Sequence, residues 1–449
     1  NNSYFNHPLF PLTPEGYNIP GPSDYVKVNP LKVQTGIGSM ATTILSMGSI
    51  AAVEGKPFLL SEWNEYGLNP FHSTSFMHTV AYACLNDWDG LILYNYQTSE
   101  KENEPEDEIL SVFDAYNDPS LICQWGMMAE VFLKGLVAPA KHQADFVYTQ
   151  RDLKTLPPMM AAPVMYLPYI MKMRNVFLDG DSYSGRADVA VNAGFVDSGK
   201  LEDAEHAVYY AWSDYVDACR TGKNPKRLKN AAKNSRELSE SVHISEHALV
   251  FDKMRELAGS GDYEQFASYL DQALKEWQII KADQGLTDGA LVSDTGELTF
   301  TPDAGKFRIQ TEHFSYFSGV PDEQIKLNDI VSVAAKNEEI TLALLERRQS
   351  ENQKEYLLTA LGDTGMDETV MEAGPDLYGI PLTHVKMKGK LYINTLEGEL
   401  FVQAKEASLE ILDQEGNILR SVRGESDGDR QRFLLNGEDA SAQYRLIIK

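Results

Sequence analysis

The chain has 449 residues, enough for roughly two to four domains, and 43% of them are hydrophobic, which supplies cores and excludes global disorder. Its 40 Lys and Arg stand against 66 Asp and Glu, a formal charge of −26 that repels phosphate backbones and anionic lipid, so neither nucleic acid nor a membrane surface is an expected partner. The apolar runs at 58–60 and 159–165 are too short or too Pro-broken to span a bilayer. Cys84, Cys123 and Cys219 lack C-x-x-C spacing and cannot all pair within the chain, so neither a disulfide framework nor a zinc ribbon is implied. The first residue is Asn1, with no Met, basic n-region or apolar h-region after it, and the expectation is that a segment precedes it.

In chain order, residues 1–30 are rich in Pro, Gly, Asn and Tyr, as in Tyr4-Phe5-Asn6-His7-Pro8, and read as a surface loop. Residues 38–54 set Met40, Ile44, Met47 and Ala51 on one helical face, which Gly55-Lys56-Pro57 ends. Residues 58–61 read as a short buried strand closing in the polar, aromatic cluster Glu62-Trp63-Asn64-Glu65-Tyr66-Gly67. A helix over 73–86 turns Phe76, Val80, Ala83 and Cys84 inward, and a second buried strand at 90–94 ends in Asn95-Tyr96-Gln97. After the acidic run 100–108, Asp118-Pro119 opens a helix to about 134. Apolar strands with polar carboxyl ends, alternating with helices, are the βα pattern of a parallel sheet or barrel.

Beyond 150, Val189–Asn192 reads as a strand, while 201–222 and about 226–281 are charged amphipathic helical stretches interrupted at Gly259-Ser260-Gly261-Asp262, the longer one reading as a solvated helical hairpin. From 290 the period becomes two: Leu298 and Phe300, Phe307 and Ile309, Leu391 and Ile393, Leu409 and Ile411, Phe433 and Leu435, Tyr444, Leu446 and Ile448. Turn residues such as Asp413-Gln414-Glu415-Gly416-Asn417 separate these pairs, the pattern of an antiparallel β-sandwich.

Glu62 is the sharpest candidate for chemistry. In α/β barrels the working residues sit at the carboxyl ends of strands, and a carboxylate beside an aromatic wall suits sugar chemistry, whose oxocarbenium-like transition state needs a nearby anion. The structural alternative is a helix-capping or salt-bridged rim glutamate. Asp87 and Asp89 precede the second strand and read as turn residues, and Glu100 sits in a charge run. His72 is a rim candidate and His78 a packing one. Asp179–Gly185 begins like a calcium loop but has Tyr183 where an oxygen ligand belongs, so no metal site is expected there. A Gly-x-Ser-x-Gly elbow, a phosphate-binding Gly loop and His-Glu-x-x-His are all absent, and no cofactor is expected.

The segments Lys56-Pro57-Phe58-Leu59-Leu60-Ser61-Glu62-Trp63-Asn64 and Asp87-Trp88-Asp89-Gly90-Leu91-Ile92-Leu93-Tyr94-Asn95-Tyr96 resemble the seventh and eighth strands of the (β/α)8 retaining glycoside hydrolases of clan A, the cellulase and β-galactosidase-like families. The resemblance implies Glu62 as nucleophile, with His7, Trp63, Asn64, Tyr94 and Tyr96 lining the sugar subsite. Asp118-Pro119 and the helix to Pro139 are similar to the closing helix of such barrels, and the β segments after 290 to the domains that trail them. The implied substrate is a neutral β-linked oligo- or polysaccharide, and the implied compartment extracellular or periplasmic. The clan's acid/base is the Glu of an Asn-Glu pair after strand four, which neither Asn64-Glu65, Asn103-Glu104 nor Asn337-Glu338 matches in position. A full barrel needs about 250 residues and eight βα units. The expected organisation is therefore the C-terminal portion of a (β/α)8 barrel over 1–150, a mixed α/β region over 151–340 with a helical insertion at 200–282, and a C-terminal β-sandwich over 341–449. An N-terminal fragment is expected to complete the barrel. The alternative function is a non-catalytic carbohydrate-binding or surface-assembly protein.

Overall fold

The computed structural model describes residues 10–13, 16–20, 44–49, 51–64, 72–97, 114–148, 150, 167–179, 185, 187–192, 271–276, 278–283, 290–301, 304–350, 353–373, 382–438 and 440–449. The amino-terminal half holds a hairpin, β1 (Phe10–Thr13) and β2 (Gly16–Pro20), and the short helix α1 (Ile44–Ser49). Then come β3 (Leu59–Trp63), α2 (His72–Leu85), β4 (Gly90–Leu93) and α3 (Pro119–Lys134). They are followed by β5 (Gln143–Tyr148), α4 (Leu167–Ile170), β6 (Lys172–Phe177) and β7 (Val189–Asn192).

β3 and β4 pair in parallel through α2, Leu59 opposite Gly90, as the βα pattern requires. Asp89 locks their entry: its carboxylate accepts the Phe58 N–H at 2.8 Å and its own N–H donates to the Phe58 carbonyl at 2.9 Å. It is a turn residue, as its position before the strand suggested. Asp87 takes a left-handed φ of 55°, and its carbonyl accepts Arg174 Nη2 at 2.9 Å. Helix α3 obeys local rules at both ends. Asp118 caps it by accepting the Ser120 and Leu121 N–H groups, Pro119 occupies the first turn, and Gly135 closes it at φ 61°. A second parallel sheet, ordered β6-β5-β7, lies beyond and is bridged to the first region by the parallel pair Val53 and Asn175. Arg174 of β6 is buried there amid Asp87, Glu54, Asp89 and Asp145; burial draws its pKa down despite those carboxylates.

From 291 the chain is antiparallel β. The strands are β8 (Leu291–Val292), β9 (Leu298–Thr301), β10 (Lys306–Gln310), β11 (Phe314–Gly319), β12 (Ile325–Lys326), β13 (Val331–Ala335), β14 (Ile340–Ser350) and β15 (Gln353–Ala373). They continue with β16 (Leu382–Thr395), β17 (Gly398–Val402), β18 (Ala407–Leu412), β19 (Ile418–Arg423), β20 (Glu425–Asp427), β21 (Arg430–Leu435) and β22 (Gln443–Ile448). One large sheet runs β1-β2-β16-β15-β14-β11-β10-β9-β8, with β22, β18 and β19 branching from β15. A five-stranded sheet, β12-β13-β17-β21-β20, packs against its far face.

The molecule is thus layered: helices, large sheet, small sheet. The helix-facing core holds Phe300, Phe307, Phe314, Tyr316, Ala343 and Leu345 with Phe76, Tyr82 and Leu121. The sandwich core on the other face holds Phe317, Leu342, Leu344, Leu358, Leu400 and Phe433. This explains the uninterrupted apolar run at the start of β14, where both sheet faces are buried. Helix α2 is enclosed on every side although it carries Ser73, Thr74, Ser75, His78 and Thr79. Ser73 and Thr74 hydroxyls meet Thr341 and Ser318 of the large sheet, and Gln124 of α3 donates to the Ser73 carbonyl at 2.9 Å and accepts the Tyr316 hydroxyl at 3.3 Å. The turn before β9 completes the joint: Glu297 accepts the Ala138 N–H at 2.8 Å and Asp294 the His142 N–H at 2.7 Å.

Three expectations change. Residues 10–13 and 16–20 pair as strands rather than reading as loop, because β2 finds an edge on β16, with Tyr17 opposite Val385 and Pro20 opposite Leu382. The sandwich does not begin at 341, since β11 to β13 already contribute to its two sheets. The expected C-terminal portion of a (β/α)8 barrel over 1–150 is not evident as a barrel among the described residues: β3 and β4 form a two-stranded parallel sheet joined through α2, with α3 beside it. The helical stretches at 201–222 and most of 226–281 lie outside the described residues, as does the bulk of the 179–185 loop.

Candidate functional site

Glu62 lies at the carboxyl end of β3, half-exposed, where the register with β4 slips: Leu60 faces Leu91, but Trp63 faces Leu93. Three steps on β3 thus match two on β4, a bulge. The extra residue flips the alternation, so Leu60 and Trp63 share the buried face instead of opposing one another. Trp63 is 3% exposed, with its ring 6.3 Å from Phe76 in the helix-facing core. Its expected place at a sugar subsite is therefore corrected: it is a core residue, and the bulge leaves Glu62 at the strand end.

Asn64 is also buried, and its side-chain amide donates to the Tyr94 carbonyl, while the Tyr94 N–H donates to the Trp63 carbonyl at 2.8 Å. Asn64 thus ties together the two strand ends that carry Glu62 and Tyr94. Tyr94 and Tyr96 are open to solvent at 38% and 63%. The segment between them, whose Tyr94–Asn95 peptide is cis, is held from the other side by the Ala115 and Tyr116 N–H groups, which donate to the Asn95 and Tyr96 carbonyls at 2.9 and 3.2 Å. Tyr116 brings its ring 6.3 Å from Tyr96. Sequence reading missed Tyr116; the Ala115–Asn117 turn just before the Asp118 cap was the available signal. His7 lies outside the described residues.

His72 is not a free rim residue. It is buried with Asp118 and Ser120, its Nε2 lying 3.0 Å from Ser120 Oγ and 3.4 Å from Asp118 Oδ2, while Thr364 Oγ1 is 3.4 Å from Nδ1. The trio contains Ser, His and Asp but not the geometry of a nucleophilic triad. There the acid holds the imidazole nitrogen remote from serine; here one nitrogen faces both, and the serine hydroxyl donates to Asp118 at 2.6 Å. Burial by itself raises the Asp118 carboxyl, but the facing His72 and the Ser120 and Leu121 hydrogen bonds outweigh it and hold the pKa below the ordinary value. This is a helix cap reinforced by a histidine.

His78 is a core residue, its ring 4.6 Å from Tyr82, 5.0 Å from Phe300 and 4.8 Å from Phe307, and burial lowers its pKa to about 3. Cys84 and Cys123 are free thiols, pushed up by burial to about 12 and about 11, and so are poor nucleophiles. Among the described residues no group of His, Cys, Asp and Glu is arranged to hold a metal, and no helix is long and apolar enough to cross a membrane.

The geometry offers one half-exposed carboxylate on a strand end that is hydrogen-bonded to a neighbouring end bearing two solvent-open tyrosines. No family model, curated protein or solved structure matches the chain.

Proposed function

We propose that this chain is the carboxyl-terminal part of a retaining glycoside hydrolase of clan A, acting on a neutral β-linked oligo- or polysaccharide with Glu62 as nucleophile. The observation that carries the reading is the bulged end of β3, which leaves Glu62 half-exposed beside the strand end bearing Tyr94 and Tyr96. In the proposed reaction the Glu62 carboxylate attacks the anomeric carbon as the glycosidic bond breaks, and a second carboxylic acid protonates the leaving oxygen. That group then deprotonates the water that releases the sugar from Glu62. The second carboxyl must lie about 5 Å from the first, and under this reading it comes from the N-terminal fragment that completes the barrel. Tyr94 and Tyr96 supply the aromatic floor, and Asn64 positions their strand end against that of Glu62.

Two open apolar surfaces support a missing remainder. On the β3-β4 pair Leu59 and Ile92 are 47% and 52% exposed, and on α3 Ile122, Trp125 and Leu133 are 44%, 40% and 81% exposed along one helical stripe. Further βα units would cover both.

The test is hydrolysis of chromogenic β-glycosides by the full-length polypeptide and its Glu62→Gln variant. Loss of the nucleophile is expected to lower kcat by at least about 10³-fold. An unchanged rate would remove Glu62 from the mechanism. The second reading, a non-catalytic carbohydrate-binding protein, is favoured by a cavity of about 200 Å³ on the outer face of the five-stranded sheet, lined by Gln324, Asn328, Ser332, Gln403 and by Arg430 over Phe401. It predicts glycan affinity that Arg430→Ala weakens and Glu62→Gln leaves intact.

A further inference from the structure

Strand β15 is 21 residues long, but only its first part is framed by the sandwich, where it pairs with β14 and β22 over residues 353–361. Three contacts fix its direction against the helices. Near Glu355 and Tyr356, Arg347 of β14 pairs with Glu130, in the second half of α3. Opposite Thr359, Gln443 donates to the Cys123 carbonyl at 2.7 Å, in the first half of α3. At Thr364 the strand reaches His72, the first residue of α2, which lies against the Asp118 cap of α3. β15 therefore runs antiparallel to α3 and arrives, at residue 364, at the helix amino termini. These follow the carboxyl ends of β3 and β4, where Glu62, Tyr94 and Tyr96 sit.

The strand does not stop there. Residues 365–373 continue paired with β16, Gly365 opposite Tyr392 and Ala373 opposite Thr383. At about 3.3 Å per residue these nine residues carry the strand on by at most roughly 30 Å beyond Thr364, with register shifts against β16 between Leu361 and Thr364 and between Met366 and Glu368. The far part of this arm is widened by β2, with Ile19 opposite Thr383 and Asn18 opposite His384, and by β1 beyond it. The hairpin that begins at Phe10, two residues after the His7-Pro8 pair, is thus joined to the β region rather than to the parallel strands.

We infer that this four-stranded arm, β15 and β16 with β1 and β2, is a wall along one side of the Glu62 site that limits how far a bound glycan extends, so that the site takes chain ends and short oligosaccharides in preference to the interior of a polymer. The inference rests on the glycosidase reading of Glu62. A wall of this length obstructs a polymer crossing the rim on that side, whereas a short substrate needs only the aromatic floor.

The test compares kcat/KM for a small aryl β-glycoside with that for a long soluble β-glycan, in the full-length polypeptide and in a variant whose residues 367–390 are replaced by Asn-Gly, joining the paired Met366 and Leu391 through a two-residue turn. The expected result is aryl-glycoside turnover within about threefold of the parent and a rise of at least about tenfold in the long-to-short ratio. A second variant, Thr383→Pro, disturbs pairing at Ile19 without shortening the arm and is expected to move the same ratio in the same direction by less. It also tests the wall if the shortened arm does not fold. An unchanged ratio in a folded variant with intact aryl-glycoside turnover overturns the wall while leaving Glu62 in place. Absence of aryl-glycoside turnover in the parent overturns the glycosidase reading and the wall with it.

Discussion

The parallel part of the chain and the antiparallel part solve the burial problem differently. In the antiparallel part the large sheet is covered on both faces, so Leu342 and Ala343, adjacent in sequence, belong to two separate cores. In the parallel part the β3-β4 pair is covered on one face only, with Leu59 and Ile92 left outside, and α3 shows the stripe of Ile122, Trp125 and Leu133. The difference teaches where the molecule is self-sufficient. The β region closes its own layers, whereas the β3-β4 region relies on α2, which is held by hydroxyl contacts to that β region, and leaves surface of the kind another element covers.

The comparison is most severely tested in the doubly buried strand. Leu342→Ala is expected to cost about 3–5 kcal/mol, because the void is framed by both sheets and cannot collapse easily; urea denaturation measures it, and a cost under 1 kcal/mol would mean that the two-sided packing is wrong. Arg174→Ala, which removes the guanidinium's hydrogen bonds to the Asp87 and Met173 carbonyls and its charge from the neighbourhood of buried Asp145, is expected to cost about 3 kcal/mol and to loosen the contact between β6 and the turn before β4. Hydrogen exchange should then rise around residues 86–90 and 172–177 before it rises in the sandwich.

Leu133→Asp sharpens the comparison from the other side. In the chain alone an exposed position tolerates it within about 0.5 kcal/mol, but if the stripe is covered in the longer polypeptide proposed above, the same change lowers that polypeptide's Tm while leaving that of the chain alone unmoved. Equal behaviour in both would show the stripe to be plain surface.

The cap is a smaller effect than the Arg174 cluster. Asp118→Ala is expected to cost about 1–2 kcal/mol at pH 7. Since the folded pKa of Asp118 lies below its unfolded one, its contribution is complete above the ordinary carboxylate range, near pH 4, and is lost as pH falls through the lower folded value. Parent and variant stabilities should therefore converge as pH falls below the ordinary carboxylate value near 4; a gap that persists in acid assigns the effect to packing.

Much of the parallel region was legible. The α3 boundaries follow from Asp118, Pro119 and Gly135, and Asp89 was readable as a turn residue because it precedes an apolar strand. Trp63 was not legible. Its place in the aromatic cluster beside Glu62 suggested a rim residue, but one extra residue in the bulge turns it to the buried face, and a bulge depends on the partner strand's register. The burial of α2's polar residues was out of reach for the same reason, since the hydroxyls of Thr341 and Ser318 come to Ser73 and Thr74 from more than 200 residues away.

By itself the sequence determined the elements whose signals are local: capped helices, apolar strands between turn residues, the switch of period at 290, and a carboxylate at a strand end. Only the tertiary structure decided which faces are covered, that residues 10–13 and 16–20 become strands with the second adding to β16, that Trp63 turns inward, and that β15 continues beyond its contact with His72 at the start of α2. Those outcomes depend on register and on partners distant in the chain, and no window of neighbouring residues contains them.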